Sequence, residues 1–203
     1  MSRDLLRLWS IQTVEAWEIA KERGALRADP AFVWPDFIPA YEWLAGQMAE
    51  RIGPPPDGCR FPVWAWRQAD SARRPRPDLR ESGHLERGAR GVRLELLVPA
   101  AHVLLSDFLL WHYPLNYWHL GASESDSERF EAELADQGLS PYETKPLAHP
   151  GYHAQIQRSW ERIFDLDWDD LYFTFPRDQK PIQATLWEVR PEDVRSVTLF
   201  TAR

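Results

Sequence analysis

The segment Val92-Arg-Leu-Glu-Leu-Leu-Val98 limits the folds open to this chain more than any other. Val92, Leu94, Leu96 and Val98 alternate with Arg93, Glu95 and Leu97. Successive side chains of an extended strand point to opposite faces, so this order calls for a sheet with one covered face. Pro99 closes the strand. Its partners are also legible. Leu5–Ile11 reads as a short buried strand rich in Leu, Ile and Trp, and Phe61–Arg67 alternates. Val103–Leu105 reads as a further short strand. Ile182–Val189 and Arg195–Ala202 read as two late strands joined by Arg190-Pro-Glu-Asp193.

Between these strands the period changes to that of helices. Thr13 is placed to N-cap a helix reaching about Arg23, with Glu15 and Glu18 near its positive end and Gly24 stopping it. Phe37, Tyr41, Leu44, Met48 and Ile52 fall at helical spacing, and Gly53-Pro-Pro-Pro-Asp-Gly58 ends that helix. Ser106 is expected to N-cap a helix through DFLLWHY that Pro114 kinks or ends, with a further turn in LNYWHL. Glu128–Gln137 and His153–Phe164 complete the set. The expectation is α+β, one domain over residues 1–203, with no internal repeat.

The chain is long enough to stabilise such a core without staples, since 203 residues bury roughly 70% of the unfolded surface. Cys59 is the sole cysteine, which excludes an intramolecular disulfide and a thiolate metal cluster. The formal charge of −7 argues against general affinity for nucleic acid or anionic membrane. One stretch runs the other way: Arg67, Arg73, Arg74, Arg76, Arg80, Arg87, Arg90 and Arg93 are interleaved with Pro and Gly. It reads as a solvated loop, or alternatively as a contact for phosphate or RNA. No apolar signal core and no membrane span are visible, and the cytoplasm is the expected location.

Several chemistries lack their residues. Asp165, Asp167, Asp169 and Asp170 do not have EF-hand spacing and read as a solvated helix end. His112 and His119 could share a helical face only if Pro114 leaves the helix intact, and no zinc pattern is present; no metal is expected. Nucleophile-elbow, P-loop and dinucleotide-fold motifs are absent. Cys59, in a Pro/Gly turn with no adjacent base, reads as inert. The eleven tryptophans read mainly as core, although aromatic rings also line pockets for flat ligands. On a late strand, Glu188 would share a face with Ala184 and Leu186, either at a wet strand end or in a cleft.

Over nearly its full length, in LWSIQ, WAW, PDLR, LLSDFLLWHYPLN, SWERIFDLD and QATLWEV, the chain resembles an uncharacterised bacterial domain-of-unknown-function family. Its two ends also resemble the ADP-ribosyltransferase superfamily, in particular the DNA-modifying toxin branch. There the first strand carries an aromatic–His–x–Thr pattern, at whose place stands Trp9-Ser10-Ile11-Gln12, followed by a helix, Gly24 and Leu26. Glu188-Val-Arg-Pro-Glu-Asp-Val-Arg-Ser-Val197 matches the form E-hydrophobic-x-P-x-x-V-x-x-V of that superfamily's catalytic-glutamate strand and turn. Ser10 and Gln12 stand where the pattern has histidine and threonine.

This resemblance implies a split, mostly antiparallel β core with packed helices, and NAD as donor. It makes Glu188 the catalytic carboxylate and places Trp9, Ser10, Gln12 and Arg67 at the donor site, with Asp107 and His112 as a polar pair near the cleft. Cleavage of the nicotinamide–ribose bond passes through an oxocarbenium-like cation, which a fixed carboxylate stabilises. The acceptor, protein or nucleic acid or water, stays open. The competing readings are a non-catalytic nucleotide- or RNA-binding module, using an aromatic pocket and the Arg67–Arg93 loop, and an accessory or immunity protein.

Overall fold

Alternation and period are converted into six strands and five α-helices in the computed structural model, which describes residues 4–142 and 145–203. The strands are β1 (Leu5–Thr13), β2 (Val63–Gln68), β3 (Arg90–Pro99), β4 (Leu104–Asp107), β5 (Ile182–Leu186) and β6 (Val194–Thr201). They form one sheet in the order β4-β5-β2-β1-β3-β6, and every neighbouring pair is antiparallel. The chain is thus a single α+β domain.

The sheet is unevenly joined. β1 pairs with β3 along its whole length, from Leu5 opposite Pro99 to Thr13 opposite Gly91. Against β2 it makes one pairing among the described residues, Trp9 opposite Trp66. The backbone ladder is therefore shortest at this seam, between β4-β5-β2 and β1-β3-β6. A side chain bridges it: buried Ser10 donates its Oγ–H to the Trp64 carbonyl at 2.8 Å.

Each face has its own cover. On one, Leu8, Val63, Ala65, Val92, Leu94, Leu96, Ala184 and Leu186 pack with Trp17 and Ala20 of helix α1 (Val14–Arg23). Thr13 caps α1, its Oγ1 accepting from Ala16 N at 3.1 Å, and Gly24 ends it at φ 77°, a left-handed conformation that glycine adopts without a Cβ clash. On the other face, Trp64, Leu104 and Trp187 meet α2 (Ile38–Ile52), α3 (Phe108–Asn116) and the 3-10 turn Trp160–Phe164. A satellite cluster of Phe130, Leu134, Ile156 and Trp160 gathers α4 (Glu124–Asp136) and α5 (Pro150–Ser159).

Several expectations are corrected. Asp107, not Ser106, caps α3, because β4 continues through Ser106 and Asp107 is the residue whose carboxylate accepts from Leu109 N and Leu110 N. The helix ends at Asn116 with Tyr117 at φ 60°, so LNYWHL adds no separate turn and His112 and His119 do not share a helical face. α4 begins four residues early because Ser123 caps it. The helix expected over His153–Phe164 starts at Pro150, capped by His149, and tightens to 3-10 from Trp160. β5 stops at Leu186 rather than Val189.

Asp107 and His112 do not pair. Asp107 is fully buried, binds Lys180 Nζ at 3.2 Å and accepts from the Thr174 hydroxyl, whereas His112 is exposed. The aspartates after Phe164 brace turns instead: Asp165 accepts from Asp167 N, Asp170 from Tyr172 N, and Asp167 pairs with Arg177. Among the described residues no group of His, Cys, Asp and Glu is arranged to hold a metal ion, and no helix is long and apolar enough to cross a membrane.

A candidate active site at the divided seam

Beyond the Trp9–Trp66 pair the two strands diverge, and a cleft of about 430 Å³ opens between them. Ile11, Gln12 and Thr13 line it from β1, and Pro62, Val63 and Trp64 from β2. Tyr41 of α2 and Phe32 and Val33 of the preceding loop close it. The size and the few polar groups among aromatic walls are those of a small-molecule site.

Antiparallel register explains which residues meet here. The C-terminal end of β1, the N-terminal end of β2 and the C-terminal end of β5 lie together, since Trp9 is opposite Trp66 and Val63 opposite Leu186. Two residues past Leu186 the chain presents Glu188. Val189 then pairs with Leu26 by two backbone hydrogen bonds, 2.8 and 3.0 Å, which bring the segment after α1 against the segment after β5.

That bridge sets Arg27 against Glu188. Arg27 donates from Nε at 3.0 Å and Nη2 at 2.8 Å to Glu188 Oε2, and Arg190 Nε donates to Oε1 at 2.9 Å. Arg27 also donates to the Asp57 carbonyl at 2.9 Å. Glu188 is 12% exposed. Burial pushes its carboxyl up, but the hydrogen bonds from Arg190 and Arg27 outweigh this and hold it below the usual range. It is therefore an ionised carboxylate at neutral pH. Its four lone-pair sites carry three N–H donors, which leaves room for a hydroxyl. Burial raises the neighbouring Cys59 thiol, keeping it protonated and a poor nucleophile.

The residues singled out from sequence separate in space. Gln12 lines the cleft and donates through Nε2 to Ser10 Oγ at 2.9 Å. Ser10 itself is buried in the seam, where it serves the Gln12–Ser10–Trp64 chain rather than a cleft wall. Glu188 stands outside β5 and reaches the cleft through Arg27, which lines it. Trp9, the residue paired with Trp66, lies outside the cleft and lines an arginine-bearing groove instead. Arg67 binds the Arg7 carbonyl at 3.1 Å, near the opposite end of β1. Sequence reading missed Arg27 and Tyr41. The Leu26–Val189 bridge that positions Arg27 joins residues far apart in the chain, and no local pattern announces it.

Residues 7–195 match the family model described as a domain of unknown function (DUF3841), and the chain belongs to that family. No curated protein and no solved structure matches it.

Proposed function

We propose that this protein is an NAD-dependent ADP-ribosyltransferase or NAD glycohydrolase acting in the seam cleft, with Glu188 as its catalytic carboxylate. The observation that carries the reading is that Gln12 and Arg27, the arginine that holds Glu188, line one cleft where β1 and β2 part. The residues suit such a donor. The Gln12 side chain can exchange hydrogen bonds with a carboxamide, and Trp64 and Tyr41 offer ring faces for a flat heterocycle.

NAD would supply a ribose whose C1′ carries a nicotinamide leaving group. Arg27 and Arg190 keep Glu188 ionised and aimed, so its free lone pair accepts from a ribose hydroxyl and its charge opposes positive charge growing on the ring. The bonding pair leaves with nicotinamide, and an acceptor or water bonds to C1′ in its place and releases its proton to solvent.

The test is incubation of wild type, Glu188→Gln and Gln12→Ala with NAD⁺, reading free nicotinamide, with circular dichroism to confirm that each variant folds. Release should fall by two orders of magnitude or more in Glu188→Gln, a loss typical of a removed charge-stabilising group. Release equal to wild type in folded Glu188→Gln excludes Glu188 from the chemistry. Absence of both NAD⁺ binding and release in wild type overturns the reading.

A further inference from the structure

The loop after β2 folds back over β1 and β3 to enclose a groove of about 650 Å³. Arg7 and Trp9 of β1 and Arg93 and Glu95 of β3 belong to the sheet; Arg73, Arg74, Arg76 and Arg80 come from the loop. The loop is pinned rather than loose: Ala69 N bonds Pro75 O at 2.9 Å, Ala72 N bonds Asp178 O at 2.8 Å and Arg74 N bonds Ser71 O at 2.9 Å. The loop is solvated as expected, and with β1 and β3 it gathers arginines from distant positions.

Most of the local charge is already matched. Arg74 pairs with Asp70 at 2.7 Å, Arg80 with Asp78 at 2.5 Å and Arg7 with Glu95 at 3.4 Å. This leaves Arg73, Arg76 and Arg93 facing one remaining carboxylate of the lining, Glu81. Arg73 and Arg76 are exposed and make no ion pair among the described residues, while Arg93 is half-buried and fixed by its Nη1 on the Pro77 carbonyl at 2.8 Å. Burial first, then the nearby positive charge of Arg76, disfavours the Arg93 cation, which marks the two guanidiniums as close neighbours of like charge. Two such cations held together in a protein of net charge −7 are relieved by an anion between them. Trp9 adds a buried indole N–H with no acceptor in the protein among the described residues.

We infer that this groove binds a ligand carrying two or more phosphate groups, held by Arg73, Arg76 and Arg93. Guanidinium forks match phosphate oxygens two at a time, and three unmatched cations exceed what a single phosphate needs. Arg7, Trp9 and Ile11 share one face of β1, so the groove lies roughly 7 Å along the strand from the seam cleft that Ile11 lines. A free nucleoside diphosphate and a nucleic-acid strand present the same chemistry.

The experiment titrates full-length protein at low salt with ADP and, separately, with a fluorescein-labelled ten-nucleotide single strand. It compares wild type, the Arg73→Gln/Arg76→Gln double variant and Arg129→Gln on α4 as control. The loop cations have no partners to orphan, so the double variant keeps the fold. Binding of at least one probe should weaken about tenfold or more in the double variant and be unchanged in the control. If the strand is the ligand, its dependence on salt also becomes shallower. Binding by ADP alone, or by the strand alone, assigns the source. Failure of both probes to bind wild type, or equal binding by the double variant, overturns the proposal. None of these substitutions touches Gln12, Arg27 or Glu188, so the result is independent of nicotinamide release.

Discussion

Arg27 and Glu188 are 161 positions apart in the chain, yet Arg27 places two N–H donors on a single oxygen of the Glu188 carboxylate. A pair of this kind is oriented as well as charged, because the guanidinium plane fixes the direction of the carboxylate. Arg190 holds the other oxygen, so the carboxylate is anchored from both sides.

This anchoring makes stability depend on acid in a defined direction. The Glu188 carboxyl titrates below its ordinary value of 4.5 when folded, so its contribution is fully present above that value and is lost as pH falls through the folded value. Urea midpoints measured from pH 6 down to pH 3 should fall more steeply for wild type than for Glu188→Gln. Parallel profiles would show that the two arginines add nothing to folding.

Ser10 sets the seam. Ser10→Ala removes the donor to the Trp64 carbonyl and the acceptor of Gln12 Nε2 in a buried place. The expected loss is about 1–3 kcal/mol in chemical denaturation. Unchanged stability would mean that water or a shifted strand replaces both bonds.

Lys180 and Asp107 are both fully buried, with Lys180 Nζ also on the Trp168 carbonyl at 2.7 Å. Lys180→Met leaves the Asp107 carboxylate without its cation, so a loss of about 3–5 kcal/mol is expected. The denaturant midpoint measures it, and a shift under 1 kcal/mol would contradict the assignment of a tightly coupled pair. Lys180→Met with Asp107→Asn should recover part of the loss, since the second change removes the orphaned charge.

Gly91 marks a close approach. A Cβ there would meet the Phe200 ring and the Leu85 side chain, because Gly91 lies opposite Phe200 in the β3–β6 pairing. Gly91→Ala should cost about 1–3 kcal/mol through overpacking. Gly91→Ala combined with Phe200→Leu should be less destabilised than the sum of the two single changes.

The legible parts of the fold were those governed by neighbours in sequence. The alternation of Val92–Val98 recovers most of β3, the spacing Phe37 to Ile52 recovers α2, and Thr13 and Gly24 mark the limits of α1. Boundaries failed where competing local signals were close in strength. Ser106 and Asp107 both suit an N-cap, and it is the run of β4 through Ser106 that leaves the role to Asp107.

The candidate site was legible only in part, and unevenly. Gln12 and Glu188 could be singled out, and they come to the same end of the sheet. Trp9 belongs to the same strand segment, but it lies outside the cleft and borders the arginine groove. Arg27 follows Leu26 in a segment with no motif; its role depends on the bridge to Val189.

By itself the sequence determined the periodicities, the caps and the charge run from Arg67 to Arg93, because each arises from residues a few positions apart. Only the tertiary structure decided that β1 and β2 pair at a single position, that Arg27 anchors Glu188, and that the arginines of β1, β3 and one loop line a single groove. Those outcomes depend on strand order and register, which bring together residues that no local rule relates.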